Sequence, residues 1–264
     1  MGTLCIDIGN TRCKLALYAG ADLRDFRLVR SGDLLSAVGS MAESHDIGAC
    51  IYSAVGSGGD ALAQALDKLG CPAAALSAGL KGLPVSVDYA TPQTLGSDRL
   101  AAAVGARTLL PGCDVLIADF GTCATFDLLT ADGTFRGGNI APGLKMRLAA
   151  MHRGTQALPA VGRSETPESS LLGTDTPTAM RRGAEWGLAF ETEGYAARLR
   201  QTHSGLRLLL TGGQAEIVRG HLSPALRREA AIRPDLVLLG LHAAAEAAGL
   251  APAAERQTAT QTCE

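Results

Sequence analysis

Two short segments of this chain place the same chemistry at the same kind of position: Asp7-Ile8-Gly9-Asn10-Thr11 near the start and Asp119-Phe120-Gly121-Thr122 in the middle. In each, an apolar run ends in an Asp, a Gly and short polar residues follow, and a second apolar run begins. A Gly-polar turn between strands can aim backbone N–H groups and a hydroxyl at one point, which makes an anion site. A carboxylate just ahead of such a turn would repel phosphate. Its natural partner is a cation, or a water held by a cation, that the phosphate also binds. One isolated copy reads as an ordinary Asp-x-Gly turn. The recurrence in matched context, near the midpoint of 264 residues, points to two homologous halves facing each other across a cleft and gripping a polyphosphate from both sides.

The elements that must hold these turns follow from the apolar patterning. Runs 4–8 and 14–18 flank the first turn, runs 116–118 and 125–129 flank the second, and a third apolar stretch follows each at 26–29 and 134–136, so each half opens with a β-meander. Helical periodicity covers 33–44 and 59–69, with a strand-like run at 49–55 between them. A short strand at 85–89 and a Pro-containing loop at 91–96 precede a helix that starts at Ser97 or Asp98. The break at 111–113 divides the chain into domains 1–113 and 114–264, with the last helix free to pack back on the first. Beyond it, the Gly-rich run 137–143 leads into a helix ending near Met151, and 152–173 reads as a loop near the cleft. Thr176-Pro177 opens a long helix with Thr as its cap. A strand at 206–210 ends in Thr211-Gly212-Gly213, a final helix spans about 236–248, and the tail 257–264 is frayed.

Composition narrows the classes. Hydrophobic residues make up 47% and charged residues 19%, the signature of a globular chain with a sizeable core. The net charge of −2, without any basic cluster longer than a pair, argues against nucleic acid as the main partner. The sequence has no apolar stretch long enough to span a membrane and no signal-type segment before the first strand, so a soluble cytoplasmic protein is expected. Seven scattered cysteines and five dispersed histidines lack zinc-ligand spacing.

Taken together, the blocks Asp7-Ile-Gly-Asn-Thr-Arg-Cys-Lys14, Tyr89 with Pro92 ahead of Gly96-Ser-Asp-Arg99, Asp119-Phe-Gly-Thr-Cys-Ala-Thr-Phe-Asp127, Gly137-Gly-Asn-Ile-Ala-Pro-Gly143, Asp175-Thr176 and Thr211-Gly-Gly213 resemble the type III pantothenate kinases. The resemblance implies an α/β fold of two ribonuclease H-like domains, the duplication found in actin, Hsp70 and sugar kinases, flanking a nucleotide cleft. It implies ATP-dependent phosphorylation of pantothenate to 4′-phosphopantothenate, at the start of coenzyme A synthesis, by a homodimer.

The same resemblance assigns roles. Asp7, Ile8, Gly9, Asn10, Thr11, Arg12, Cys13 and Lys14 form the first phosphate turn, and Asp7 manages Mg2+ through water. Thr122 touches the nucleotide phosphates, while Asp119 binds a monovalent cation, K+ or NH4+. Tyr89, Gly96, Ser97, Asp98, Arg99 and Thr176 line the pantothenate pocket, with Asp98 as the base. Cys123 stands where the family commonly has Ala, and Asp175 where Asn is common. On the residues alone, Asp98 reads equally as a helix cap, Arg99 as a surface charge, Tyr89 as a strand aromatic and Thr176 as a plain cap. Another superfamily kinase or phosphatase would share both turns and differ at the pocket residues. A nucleotide-binding regulator without turnover is the alternative from another class, and the intact Asp7, Asp98 and Asp119 speak against it.

Overall fold

The computed structural model describes residues 1–54, 59–163 and 170–250. Val55 and the tail at 257–264 lie outside them. The first half builds a five-stranded sheet from β1 (Gly2–Ile8), β2 (Arg12–Ala19), β3 (Asp22–Arg30), β4 (Ile47–Ala54) and β5 (Ala73–Ala75), with α1 (Leu34–Ser44) and α2 (Gly59–Asp67) connecting its later strands. The second sheet contains β6 (Ser86–Val87), β7 (Val115–Phe120), β8 (Cys123–Leu129), β9 (Thr134–Pro142), β10 (Arg207–Thr211) and β11 (Ala231–Ile232). Its helices are α3 (Ser97–Leu109), α4 (Leu144–Gly154), α5 (Thr176–Leu199), α6 (Ala215–His221), α7 (Pro224–Glu229) and α8 (Leu236–Ala247).

Strand order makes the duplication explicit. The first sheet runs β3-β2-β1-β4-β5, and the second repeats it as β9-β8-β7-β10-β11 before β6 extends it. In both, the three meander strands are antiparallel and the next two join in parallel. The two Asp-x-Gly turns therefore occupy equivalent corners, β1 to β2 and β7 to β8.

Side-chain alternation sorts the core into three layers. Leu4, Ile6 and Ile8 of β1 pack outward with Leu34, Val38, Met41, Leu62 and Leu66. Leu116, Ala118 and Phe120 of β7 pack outward on the other side with Leu144, Leu148, Leu188 and Val218. The opposite faces, Cys5 and Ile51 from one sheet and Val115 and Ile117 from the other, enclose α3 and α8 in a shared central layer. These two helices meet at their glycines: a Cβ on Gly105 would lie 2.5 Å from the Leu236 carbonyl oxygen, and one on Gly240 would run into the Ala101 carbonyl. Ala at either position would push the backbones apart.

Three local expectations change. The third strand of the second meander, expected at 134–136, continues through 137–142 as β9, which pairs along β8 as far as Cys123↔Pro142 before α4 begins. The strand expected at 85–89 is only Ser86–Val87, and it joins the second sheet through β9. The cap of α5 is Asp175 rather than Thr176: the Asp175 carboxylate accepts from the Thr178 N–H at 2.9 Å and the Thr178 hydroxyl answers at the Asp175 N–H, a capping box, which places Thr176 and Pro177 inside the first turn.

Candidate active site

The first turn is short and open. Asp7 and Lys14 face each other across β1 and β2, Ile8 pairs with Cys13, and the Gly9 N–H closes the turn on the Arg12 carbonyl at 3.2 Å. A Cβ on Gly9 would sit 2.8 Å from that carbonyl, so the position demands glycine. Asn10, Thr11 and Arg12 are exposed at its tip. Behind it, the buried Ser53 hydroxyl donates to Asp7 Oδ1 at 2.8 Å. Burial pushes the Asp7 carboxyl above its usual range, Ser53 and Lys14 pull it back, and Asp98 pushes it up again.

The second turn is braced. Gly121 N–H donates to the Cys123 carbonyl at 3.0 Å, and Gly143 N–H, from the start of α4, donates to the Thr122 carbonyl at 3.1 Å. Asp119 points at Gly212, whose positive φ of 88° and missing side chain make room for the carboxylate. Burial, then the charge of Asp98, raises the Asp119 carboxyl to about 7, against the pull of Lys14, with Asp7 and Asp127 adding to the rise. Thr122 is exposed beside it.

Asp98 completes the set from a third element. It occupies the first turn of α3, half-buried, and its Oδ1 accepts from the Arg99 N–H at 2.8 Å. It is not the N-cap residue, a position held by Gly96. A Cβ on Gly96 would stand 2.5 Å from that same carboxylate oxygen. Ser97 pins the helix start to the end of β4, accepting from the Ala54 N–H at 3.1 Å and donating to its carbonyl at 3.3 Å. The charge of Asp98 on α3 thus reaches both Asp7 of β1 and Asp119 of β7. Lys14 adds a tie between halves, its Nζ donating to the Pro234 carbonyl at 3.2 Å.

Arg99 is not a surface charge. It is buried and paired with buried Asp127 of β8, its Nε lying 3.0 and 3.2 Å from the two carboxylate oxygens and its Nη2 closing the fork. Its guanidinium lies 5.9 Å from the Tyr89 ring centroid and 5.6 Å from that of Phe135. Tyr89 also rests 3.5 Å from where a Gly137 Cβ would be. The structure therefore brings Tyr89, Gly96, Ser97, Asp98 and Arg99 into one wall. Among the described residues, no hydrogen bond or ion pair joins Thr176 to that wall; it is exposed at the start of α5.

Sequence reasoning missed Ser53, Asp127 as the partner of Arg99, and Gln214. An Asp inside the apolar run of β8 signals a buried partner without saying which. Ser53 and Gln214 carry no spacing signal. Among the described residues, no three acidic, His or Cys side chains converge closely enough to hold a metal by themselves. A buried Asp119 whose carboxyl is raised by burial and by the charges of Asp98, Asp7 and Asp127 nonetheless favours a cation that shares its ligands with phosphate and water.

These features meet a clear set of likenesses. The family model described as type III pantothenate kinase matches residues 3–198. A type III pantothenate kinase of Bacteroides fragilis is 37% identical over 211 residues, 80% of this chain and 85% of that protein. One from Porphyromonas gingivalis is 36% identical over 241 residues, 90% of this chain and 96% of that protein. In fold, the chain is similar to the activator of the 2-hydroxyisocaproyl-CoA dehydratase from Clostridium difficile, solved with bound ADPNP. That likeness has a TM-score of 0.54 at 11% identity, covering 97% of this chain and 100% of that one. The repeated strand order, the paired turns and these matches agree: the fold is the duplicated ribonuclease H-like kinase fold, and the chain belongs to the type III pantothenate kinase family.

Proposed function

We propose that the cleft between the two sheets performs the ATP-dependent phosphorylation of pantothenate to 4′-phosphopantothenate, the entry into coenzyme A synthesis, with the two turns on the phosphates and the α3 wall on the acceptor. The observation that carries this reading is the meeting of Asp7, Asp98 and Asp119, from three elements of two duplicated halves, at one electrostatic focus. Transfer to a primary alcohol needs an aligned hydroxyl, screening of phosphate charge and a late proton acceptor. Asp98 is the proposed acceptor of that proton. Its place in the first turn of α3, with Ser97 pinned to β4, sets its carboxylate at the border between the acceptor wall and the phosphate turns.

Residues 7–14 and Thr122 are proposed to hold the nucleotide phosphates. Tyr89, Gly96, Ser97, Arg99 and Thr176 are proposed to hold pantothenate, with Thr176 contributed across a homodimer interface. Exposed Phe190 of α5 and exposed Leu171 and Leu172 just before that helix support such an interface. Asp7 would hold Mg2+ through water and Asp119 a monovalent cation; bound there, the two ions would neutralise phosphate charge. The domain division at 113 is retained as a proposal, with α3 and α8 shared between the halves.

A coupled ADP-release assay over a panel of alcohols tests the function. Turnover with pantothenate far above sugars and acetate is expected; turnover confined to another acceptor would overturn the reading. Light scattering at micromolar concentration tests the dimer, and a monomer would overturn it. Trp186, whose Nε1 donates to the Ser170 carbonyl at 3.3 Å just ahead of α5, is proposed to report pantothenate binding by fluorescence.

A further inference from the structure

The second phosphate turn is held by a side chain from a distant part of the chain. Gln214 lies between β10 and α6, 92% removed from solvent, and spends both ends of its amide on backbone. Its Nε2 donates to the Gly121 carbonyl at 3.2 Å, inside the turn. Its Oε1 accepts from the Leu144 N–H at 3.2 Å, the first residue of α4. Its own N–H donates to the Phe120 carbonyl at 3.2 Å. One residue therefore fixes three backbone groups on two elements, and Gly143 N–H completes the ring at the Thr122 carbonyl.

We infer that Gln214 is a positioning residue for nucleotide binding, setting the second turn and the start of α4 at the separation that lets both present their N–H groups to the same phosphate; this rests on the kinase reading above. A carbonyl at Gly121 that is engaged by Gln214 cannot turn toward the phosphate, which it would repel. A Leu144 N–H that is satisfied by Gln214 leaves the next N–H groups of α4 as the free donors at that helix end. The amide suits this place because it donates at one end and accepts at the other in a single rigid plane. A carboxylate would accept at both and repel the Gly121 carbonyl. A hydrocarbon would do neither.

The test titrates the nucleotide analogue mant-ATP, in the presence of Mg2+ and K+, into the parent, Gln214→Met and Gln214→Glu proteins, with the thermal midpoint measured on each preparation. Gln214→Met should weaken mant-ATP binding about tenfold or more while the KM for pantothenate stays within about twofold of the parent. Gln214→Glu should be as weak at pH 8 and recover relative to the parent toward pH 6, because the protonated carboxyl regains one O–H donor for Gly121 and keeps one acceptor for Leu144. Parental mant-ATP affinity in both variants at every pH would overturn the inference. So would an equal loss of nucleotide and pantothenate affinity with no recovery at pH 6, which marks a purely structural residue. Because mant-ATP binding is read without turnover, a parent that binds it yet phosphorylates no pantothenate overturns the kinase reading alone.

Discussion

The two turns share a sequence pattern, a strand order and a position in their sheets, yet they are built to different tolerances. At the first, one backbone bond and a long bond from the Ser31 hydroxyl to the Gly9 carbonyl, 3.4 Å, hold the turn and its tip residues are exposed, while the Asp7 carboxylate takes a hydroxyl donor from Ser53. At the second, Gln214 and Gly143 brace the backbone from two directions, while the Asp119 carboxylate lies against Gly212 with like charges around it. Duplication thus supplied two equal frames, and the surroundings divided the labour. The first turn has its acid hydrogen-bonded and its backbone lightly held; the second has its backbone fixed and its buried acid among like charges, the place where a counter-ion is proposed.

The largest effect should come from the carboxylate that answers to both turns. Asp98→Asn should lower kcat about a hundredfold to ten-thousandfold. It should change folding stability by less than about 1 kcal/mol, since an Asn amide oxygen can still accept from the Arg99 N–H. Turnover, mant-ATP affinity and thermal midpoint on one preparation check this; near-parental kcat ends the assignment of Asp98 as base.

Next comes the counter-ion proposed for the second turn. Replacing K+ by tetramethylammonium at equal ionic strength should slow the parent on the order of tenfold or more, and Asp119→Asn should remove that preference for K+. Equal rates in the two salts would erase the proposed division between the turns.

A third prediction compares the two acids directly, in metal-free tetramethylammonium buffer. Asp119 titrates near 7 in the folded chain and near the ordinary carboxylate value of about 3.9 when unfolded. The folded state therefore binds the extra proton between roughly pH 4 and 7, and stability falls as pH rises through that window. Asp119→Asn should be more stable than the parent by about 2 kcal/mol at pH 8, allowing for screening in the cleft, and should lose that advantage at pH 4. Asp7 is also raised, but Ser53 and Lys14 offset its burial, so Asp7→Asn should gain less. Thermal midpoints at pH 4 and 8 decide, and an equal gain at both positions would show the turns to be electrostatically alike. The smallest effect belongs to Ser53→Ala, which should cost about 1 kcal/mol through the lost bond to Asp7 and leave K+ dependence untouched.

What was legible in the sequence was whatever repeats or alternates. The paired Asp-x-Gly turns, their meanders and the α3 start at Ser97 could be read because strand period, turn chemistry and duplication agree there. The partners of the site could not. Arg99 meets Asp127 only because α3 packs against β8, and that contact depends on the central layer where α3 crosses α8. Gln214 reaches backbone carbonyl and N–H groups, which every residue owns and no pattern marks. Asp175 displaced Thr176 as the cap of α5 because an Asp followed three residues later by a hydroxyl can close a reciprocal box, which outweighs the Thr-Pro signal. The Gly-rich stretch 137–142 concealed a strand because its glycines let β9 pass close to Asp127 and Tyr89, a demand of packing rather than of local preference.

The glycine crossing of α3 and α8 also has a mechanical meaning. With Gly105 and Gly240 pressing backbone on backbone, the two helices share a fulcrum deep between the sheets. Asp98 lies seven residues from Gly105, about 10 Å along the helix axis at roughly 1.5 Å per residue. A tilt of about 10° at the fulcrum would swing that carboxylate by nearly 2 Å, close to the difference between a hydrogen bond and none. Small rocking of one sheet against the other would thus be geared up, through a rigid rod, into the arrival or departure of the carboxylate proposed as proton acceptor.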